Sequence, residues 1–494
     1  MSVLKMLCIV ISIACVATVA SGSESGFCEA PDRPDECTED EDSRGYPAQS
    51  HLTGKRYILY DVNPAEGFNL RRDVYIRVAV FLRRLIERDK EYQWHVVLPP
   101  WGNLYHWQSR NIGSQERLSW GTFFDIASLQ RYIPVVEMYT FMEEYSCGNR
   151  EVKLDCLYIL QNDEEMFKTG KFEDKNELVD CDRGSLRYHE LEQHLYTGPF
   201  WGYHNVTVRD VKCLKFHGMA HDLSQNLMPT QYRSIMFDRM EIALHDEYGS
   251  KEYWRARRSM RYNSELYDIA EKYRKTFLNS TNVNDNTERP ADWTKEKNRR
   301  NARGGPYLAV HLRRRDFIRA HKASVPTIMD TALQLQKRMD RLGLTLLFVA
   351  TDAEQYEFEE LKSYLPQYKV MKYVPSDYVI NKFKDGGVAV IDQIICSYAS
   401  GSCQCCKSSN SKRAISSKRE THRTATIETG ERKSRWTIEF SSPGANPKVF
   451  SLLNQKVLDH DETSASIEQQ ENIERRSGFL LVDVHRPAWW QSPT

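Results

Sequence analysis

The sequence lacks several features that would point to common classes of protein. It has no net formal charge, because Lys plus Arg and Asp plus Glu both number 68 among 494 residues, so nothing global favours nucleic acid or an anionic membrane surface as a partner. It contains neither a G-x-G-x-x-G turn nor a P-loop, which argues against hydride transfer and ATP hydrolysis. We also expect no D-x-D pair at a strand end, so a metal-held nucleotide diphosphate is not favoured.

Long apolar runs are confined to the first residues of the sequence. Residues 6–20 are apolar, follow Lys5 and precede the small residues Ser21 and Gly22, a pattern typical of a secretory signal peptide over residues 1–22. The run is too short to span a bilayer comfortably, and no later segment approaches that length, so we predict no membrane span. We expect the rest of the chain to lie within the secretory pathway.

Cysteine is plentiful, with 12 residues, and suits an oxidising compartment. Spacing alone does not set connectivity; the pairs that we predict are Cys28–Cys37, Cys147–Cys156 and Cys181–Cys213. Asn205 and Asn279 begin acceptor sequences for N-glycosylation, and the alternative for each is an unused surface asparagine.

Strand and helix patterns alternate along most of the chain. Apolar spacing predicts strands at residues 57–61, 94–98, 135–138, 307–311, 345–351 and 369–374, and helices at 71–88, 234–277, 326–341, 353–365 and around Asp392. Asn69 is the predicted N-cap of the first helix. The alternation predicts parallel sheets with covered faces, and therefore an α/β protein with two open sheets that face a cleft.

The predicted domain boundaries follow changes in composition. We expect an acidic N-terminal arm at residues 23–50, a first Rossmann-like domain at 51–281, a polar linker at 282–305 and a second, altered Rossmann-like domain at 306–399. Residues 400–494 are rich in Ser, Thr, Lys and Arg with little apolar periodicity, so we predict a poorly ordered tail.

A single carboxylate, Glu66, occupies the turn between the first strand and the first helix. Its neighbours Asn63, Pro64 and Gly67 are turn formers, and none of their tasks requires an acid. The carboxyl edge of a parallel sheet is where α/β folds bind their ligands, so Glu66 is a candidate catalytic base. The alternative is a solvated loop acid.

Three consecutive arginines, Arg313 to Arg315, follow His311 and Leu312 at the end of a predicted strand. The planar fork of an arginine matches phosphate oxygens, which makes a diphosphate a natural partner. A solvated basic turn, or an ion-pair network with Asp316, is the alternative.

Asp392 lies beside the apolar stripe of its predicted helix and is placed to accept hydrogen bonds from a base or ribose. Pairing with a neighbouring lysine is an equally good interpretation. His204, His217 and His221 raise the possibility of a metal site, but their spacing favours structural roles. The Cys403–Cys406 cluster lies in the predicted tail, and we interpret it as incidental.

The chain resembles the GDP-fucose protein O-fucosyltransferase family from about residue 56 to 397. Four stretches carry the resemblance: YDVNPAEGFNLRRDVYIRVAVFLRRL, HVVLPPWGNLYHWQS, HDEYGSKEYWRARRSM and YLAVHLRRRDF. The resemblance implies a GT-B arrangement of two Rossmann-like domains in a monomer. It implies an endoplasmic reticulum enzyme that transfers fucose from GDP-fucose to Ser or Thr of folded thrombospondin type 1 repeats, without an obligatory metal or other cofactor.

The resemblance also implies roles for individual residues. Glu66 matches the base of an inverting displacement, and Arg313 matches the residue that stabilises charge on the departing GDP. Contacts with GDP-fucose are implied for Ala65, Glu66, Gly67, Phe68, Asn69, His311, Leu312, Arg313 and Asp392.

The sequence departs from the family after IICSYA, which ends at Ala399. There the family continues with a hydrophobic strand and a Gly-Thr…Ser-Thr-Phe segment that grips the nucleotide, whereas this chain has a basic, cysteine-bearing stretch. We therefore predict weakened donor binding. The alternative function is a catalytically impaired factor that binds thrombospondin repeats during folding.

Overall fold

The computed structural model describes residues 54–404 except 103, 147–150, 183, 185, 193, 228–231, 298–300, 316–317 and 319–324. Within these residues the chain forms two β-sheets with helices against them. The predicted signal peptide, acidic arm and Cys28–Cys37 disulfide lie outside the described residues, as do residues 405–494 of the predicted tail.

The larger sheet holds nine strands within the described residues, in the order β3-β2-β1-β9-β4-β8-β7-β6, with β5 paired to β8. The run from β3 to β8 is parallel, and β5, β6 and β7 add an antiparallel extension. The bounds are β1 Lys55–Tyr60, β2 Gln93–Leu98, β3 Val135–Glu137, β4 Val152–Gln161, β5 Lys175–Val179, β6 His189–Glu192, β7 Leu195–Thr197, β8 Val206–His217 and β9 Ser234–Asp238.

The smaller sheet is parallel throughout, in the order β12-β11-β10-β13. Its strands are β10 Gly305–Leu312, β11 Leu346–Thr351, β12 Lys369–Met371 and β13 Ala399–Gln404. Two parallel α/β units in one chain form the predicted GT-B-like architecture.

The helices connect these strands and cover the sheets. They are α1 Phe68–Arg88, α2 Ile126–Gln130, α3 Met138–Tyr145, α4 Glu164–Thr169, α5 Lys251–Ser259, α6 Ser264–Phe277, α7 Ile328–Leu342, α8 Gln355–Ser363 and α9 Asp377–Ser397. The apolar stripe predicted for the first helix is buried in α1, for example at Val74 and Phe81. Its N-cap is Gly67, so the prediction of Asn69 at that position is wrong because the helix begins earlier, at Phe68.

One hydrophobic core joins the two sheets. It contains Ile58 and Phe237 from the larger sheet, Tyr307 and Phe348 from the smaller sheet, and Val390 from α9. Because the contact between the two sheet-bearing halves is part of this core, we expect the halves to keep a fixed orientation. Domains that move independently meet through more polar interfaces.

One sequence prediction about secondary structure is wrong, and the first residues of the predicted tail lie in a strand. The helix predicted over residues 234–277 is the strand β9 followed by a turn, α5 and α6, since the apolar run Ser234–Asp238 is buried on both faces as a central strand. The predicted tail begins with β13, which pairs with β10. Hydrogen bonding between strand backbones needs no apolar side chains, so the polar composition did not reveal this strand. Gly401 is buried in it, and a methyl group at that position would meet Cδ1 of Leu342 at 3.0 Å.

The disulfide predictions have mixed outcomes. Cys181 and Cys213 are bonded, which confirms that pair and ties the chain after β5 to β8. Cys156 is a buried free thiol in the central strand β4, so the predicted bond to Cys147, itself outside the described residues, is wrong.

A D-x-D pair does follow a strand, contrary to expectation. Asp180 and Asp182 come directly after β5. Because β5 is antiparallel to β8, this pair lies away from the carboxyl edge of the parallel strands.

The two predicted glycosylation sites differ in exposure. Asn279 is exposed just after α6, in a left-handed conformation with φ 50°, whereas Asn205 is half-buried before β8. Over the described part of the chain, no helix combines the length and apolar character needed to cross a bilayer.

Candidate active site

Glu66 lies in the turn between β1 and α1. Its N–H donates to the Asn63 carbonyl at 2.9 Å, and its own carbonyl accepts from Nε of Arg71 at 3.0 Å. Gly67 then starts α1 with an extended backbone, φ −81° and ψ 175°. These bonds fix the backbone of a half-buried carboxylate at the carboxyl edge of the larger sheet, as predicted from sequence.

A second carboxylate, Asp61, is connected to this turn through Arg71. Nη1 of Arg71 lies 3.7 Å from Oδ1 of Asp61. Burial, and then the charge of Asp238, raises the pKa of Asp61 to about 7 against the attraction of Arg71. The sequence analysis missed Asp61, although an acid directly after a buried strand was the available signal. It lines a pocket with Tyr60, Val62, Arg71, Pro99, Pro100, Trp101 and Trp120.

The three consecutive arginines have different surroundings. Arg314 is buried and donates to Oε1 of Glu357 at 2.7 and 2.9 Å. Arg315 is exposed and pairs with Glu354 at 3.1 Å. Arg314 and Arg315 therefore fit the ion-pair interpretation. Their partners are Glu357 in α8 and Glu354 at its N-cap.

Arg313 instead contacts an imidazole ring from the other half of the molecule. Its Nη2 lies 3.2 Å from Nε2 and 3.4 Å from Nδ1 of His106. A methyl group built on Gly67 would lie 3.7 Å from the same Nε2. The carboxyl ends of β1 and β10 thus approach one histidine from two different sheets. Asp316, the partner suggested from sequence, lies outside the described residues.

His311 and Leu312 precede this arginine at the end of β10. Burial, and then the charge of Arg313, lowers the pKa of His311 to about 4, so its neutral ring has one donor and one acceptor nitrogen at neutral pH. Leu312 is buried in the core of the smaller sheet, and its carbonyl accepts from Oγ1 of Thr351 at 2.5 Å. Its side chain therefore serves the core of the fold.

Asp392 lies on α9, and its Oδ1 is buried without a hydrogen-bond partner among the described residues. Burial raises the pKa of this carboxyl to about 8, against the attraction of Lys372. Lys372 itself donates to Gln355 at 2.7 Å. Burial, and then the charge of Asp392, raises the pKa values of Tyr273 and Tyr373. An unsatisfied buried oxygen is costly unless something else binds to it, which favours the ligand interpretation over the lysine pair.

A hydrogen-bond network connects α9 to the helix that follows Glu66. Gln393, the neighbour of Asp392, accepts from Tyr262 at 2.8 Å and from Arg72 at 3.3 Å. Arg72 also contacts Oδ1 of Asn69 at 3.4 Å. The network joins the start of α1 to the position of Asp392. Sequence reasoning missed it because Gln393 lies more than a hundred residues from both Tyr262 and Arg72.

The remaining residues implied by the resemblance have local roles in this structure. The Phe68 ring packs with Trp101 at a centroid distance of 4.6 Å. Ala65 is exposed, and its N–H donates to Oδ1 of Asn63 at 3.4 Å.

The three histidines considered as metal ligands are separated in the fold. His221 lies 3.1 Å from Asp246 and 3.3 Å from Asp222, His217 packs against Phe172, and His204 is exposed. No cluster of three or more His, Cys, Asp or Glu side chains able to hold a metal occurs within residues 54–404 as described. Cys405 and Cys406 lie outside them.

The sequence profile of the GDP-fucose protein O-fucosyltransferase family matches residues 57–422. The chain belongs to this family. The match continues past residue 400, beyond the point at which the quoted stretches end. Members of the family are transferases, so the chain is an enzyme of that class.

Individual relatives share much of their length with the chain. GDP-fucose protein O-fucosyltransferase 2 of Homo sapiens is 44% identical over 347 residues, which are 70% of this chain and 78% of the relative. The protein of the same name from Caenorhabditis elegans is 42% identical over 352 residues, with coverage of 70% and 78%. The crystal structure of POFUT1 in complex with GDP is similar with a TM-score of 0.44 and 14% identity, over 72% of this chain and 91% of that chain.

Proposed function

We propose that this chain transfers fucose from GDP-fucose to a Ser or Thr hydroxyl of folded thrombospondin type 1 repeats. The acceptor follows from the resemblance of the four stretches quoted above. The donor is the one named for the family and for relatives 42–44% identical to the chain.

The proposal depends most on one observation, the approach of Arg313 and the Glu66 turn to the same imidazole ring. A transferase must hold the leaving diphosphate on one side of the anomeric carbon and the acceptor hydroxyl on the other. Arg313 and Glu66 lie at the facing edges of the two sheets. Arg313 would bind the leaving diphosphate on one side, and Glu66 would act as the base on the other.

In the proposed inverting reaction, the Glu66 carboxylate takes the proton of the acceptor hydroxyl as its oxygen attacks the anomeric carbon. The bond between that carbon and the β-phosphate oxygen breaks, and GDP leaves with the electron pair. Arg313 stabilises the charge that develops on the diphosphate. Glu66 then returns its proton to solvent.

Two side chains and a stretch of backbone complete the proposed donor site. The unpartnered Oδ1 of Asp392 would accept a hydrogen bond from the base or ribose. The neutral ring of His311, at the end of β10 next to Arg313, would bind the donor without adding a second positive charge. The backbone of Gly67 to Asn69 lies at the start of α1, where N–H groups favour anions.

We place the enzyme in the lumen of the endoplasmic reticulum. The signal-like residues 1–22 and the two glycosylation sequences, together with the Cys181–Cys213 disulfide, support an oxidising secretory compartment.

The decisive experiment measures transfer of labelled fucose to a folded thrombospondin repeat by the wild-type chain, Glu66→Ala and Glu66→Gln. Loss of a general base should lower the rate about 10²- to 10⁴-fold, with GDP affinity retained. Glu143→Ala, a substitution on the helix α3, is the control and should leave the rate unchanged.

Equal rates for wild type and Glu66→Ala would eliminate Glu66 as the base. Repeat binding without any transfer by the wild-type chain would refute the proposed reaction and support the folding-factor alternative. Retention of configuration at the transferred fucose, read by NMR, would contradict a single displacement.

A further inference from the structure

We propose that His106 is an additional donor-site residue, which holds Arg313 toward the Glu66 turn and helps to bind the diphosphate of a nucleoside diphosphate. The inference rests on the proposed function, because it concerns the same donor. In the site described above, β10 and α9 carry the residues that bind the donor. A residue from the loop after β2 would join them.

The first argument is the hydrogen-bonding capacity of the two side chains. Nη2 of Arg313 lies within 3.4 Å of both ring nitrogens of His106. A neutral imidazole has one acceptor nitrogen, which can receive a guanidinium N–H, and one N–H donor. Arginine and imidazole are both side chains whose N–H groups bind anions.

The second argument is the position of the ring between the two proposed catalytic elements. The Nε2 atom that faces Arg313 is also the atom nearest to a methyl group built on Gly67, at 3.7 Å. Gly67 follows Glu66 directly. A ligand held by Arg313 and His106 therefore lies next to the backbone that carries the base.

The third argument is that the loop bearing His106 is tied to α9. Oδ2 of Asp385 accepts from the Ser109 N–H at 2.9 Å and from Nε2 of Gln115 at 3.1 Å, and Gln115 accepts from the Asp385 N–H at 3.1 Å. Lys384 donates to the carbonyl of Ile112. The helix that carries Asp392 thus also fixes this loop, which pre-organises the site.

Local backbone strain accompanies this attachment. Lys384 lies inside α9 with φ 56° and ψ −168°, a conformation that a residue with a side chain adopts only when its surroundings enforce it. At Gly386, a methyl group would meet Cζ2 of Trp107 at 2.6 Å, so the helix approaches the neighbour of His106 closely. Strain retained at a contact between the two halves of the molecule indicates that the loop position matters for function.

A purely structural role for His106 has little support. The residue is exposed, and its ring contact with Tyr105, which is 57% exposed, is a surface contact. Replacing an exposed ring costs little folding free energy.

The test is titration of the full-length protein with GDP and, separately, with guanosine, which lacks the phosphates. His106→Leu should weaken GDP binding about tenfold, the effect of one hydrogen bond to a charged group, and leave guanosine binding unchanged. His106→Gln, which retains a donor and an acceptor, should recover most of the affinity. His189→Leu removes another exposed histidine, on β6, and should bind GDP as the wild type does.

Each other outcome would overturn the inference. Unchanged GDP affinity in His106→Leu contradicts it while the proposed function stands. Equal weakening for GDP and guanosine indicates a general distortion and also contradicts it. Failure of the wild-type protein to bind GDP refutes the donor assignment and, with it, this inference. If His106→Leu does not fold, His106→Ala is judged by the same criteria.

Discussion

The two carboxylates of the proposed site differ in what surrounds them. Glu66 belongs to the larger sheet, where its backbone carbonyl accepts from Nε of Arg71 at 3.0 Å. Burial lowers the pKa of that arginine, and the charges of Asp61 and Glu66 oppose the shift. Asp392 belongs to the smaller unit, where burial outweighs the attraction of Lys372 and raises the carboxyl pKa to about 8. Asp392 is thus suited to stay neutral until a ligand compensates its burial.

The comparison has a physical basis in the partners of each group. Both side chains are half-buried, so exposure does not distinguish them. Asp61 shows that a nearby arginine does not by itself offset burial, because its pKa is raised to about 7 although Arg71 lies 3.7 Å away. Hydrogen-bond partners distinguish the two site residues: the turn of Glu66 is held by Arg71, whereas Oδ1 of Asp392 has no partner among the described residues.

Apart from the Glu66 variants, the largest effect is expected from Arg313→Ala. Loss of the phosphate clamp should lower kcat/KM for fucose transfer about 100-fold and weaken GDP binding. Arg315→Ala is the matched control, because that exposed arginine pairs only at the surface, and it should stay within about twofold of wild type. Steady-state kinetics of both variants check the prediction. Similar losses in the two variants would show that the basic segment acts as a whole.

An intermediate effect is expected from Gln393→Leu, which removes the contacts to Tyr262 and Arg72 between the two halves. Each lost hydrogen bond costs about 1 kcal/mol, more when a charged donor is left unpaired. Urea unfolding of Gln393→Leu, Tyr262→Phe and the double variant should give a coupling energy of about 1 kcal/mol. Strictly additive losses would argue against a direct connection between α1 and the Asp392 position.

The smallest effect is expected from Asp392→Asn, measured as stability against pH. The folded pKa of Asp392, about 8, is above its ordinary value of 3.8, so unfolding releases a proton between these values. Stability therefore falls as pH rises from about 4 to 8. The amide introduced by the substitution cannot ionise, so the variant should be more stable than wild type at pH 8.

Urea unfolding at pH 4, 6 and 8 measures this difference. The titration of Asp61, whose pKa is raised to about 7, occurs in both proteins and cancels. The gain in stability should vanish near pH 4. A gain in stability that is the same at all three pH values would assign it to packing, and it would contradict the raised pKa of Asp392.

Much of the fold was predictable because its strongest signals are local. The stripe that includes Val74 and Phe81 predicted α1, and the apolar runs predicted β1, β2, β10 and β11, with errors of a few residues at their ends. The strands β4 to β8 were not predicted; among them, β5 belongs to the antiparallel extension and exposes Glu177 and Leu178. Among the site residues, Glu66 stood out because no turn requires a carboxylate at that position.

The sequence by itself determined the family, the alternation of strands and helices, and the presence of an acid and an arginine at two strand ends. Tertiary structure decided which arginine faces the proposed site: Arg314 is buried against Glu357, while Arg313 reaches His106. It also decided the pKa of Asp392 and the position of the loop that carries His106. Charge state and hydrogen-bond partners depend on groups that are distant in sequence, and only the packed core brings those groups together.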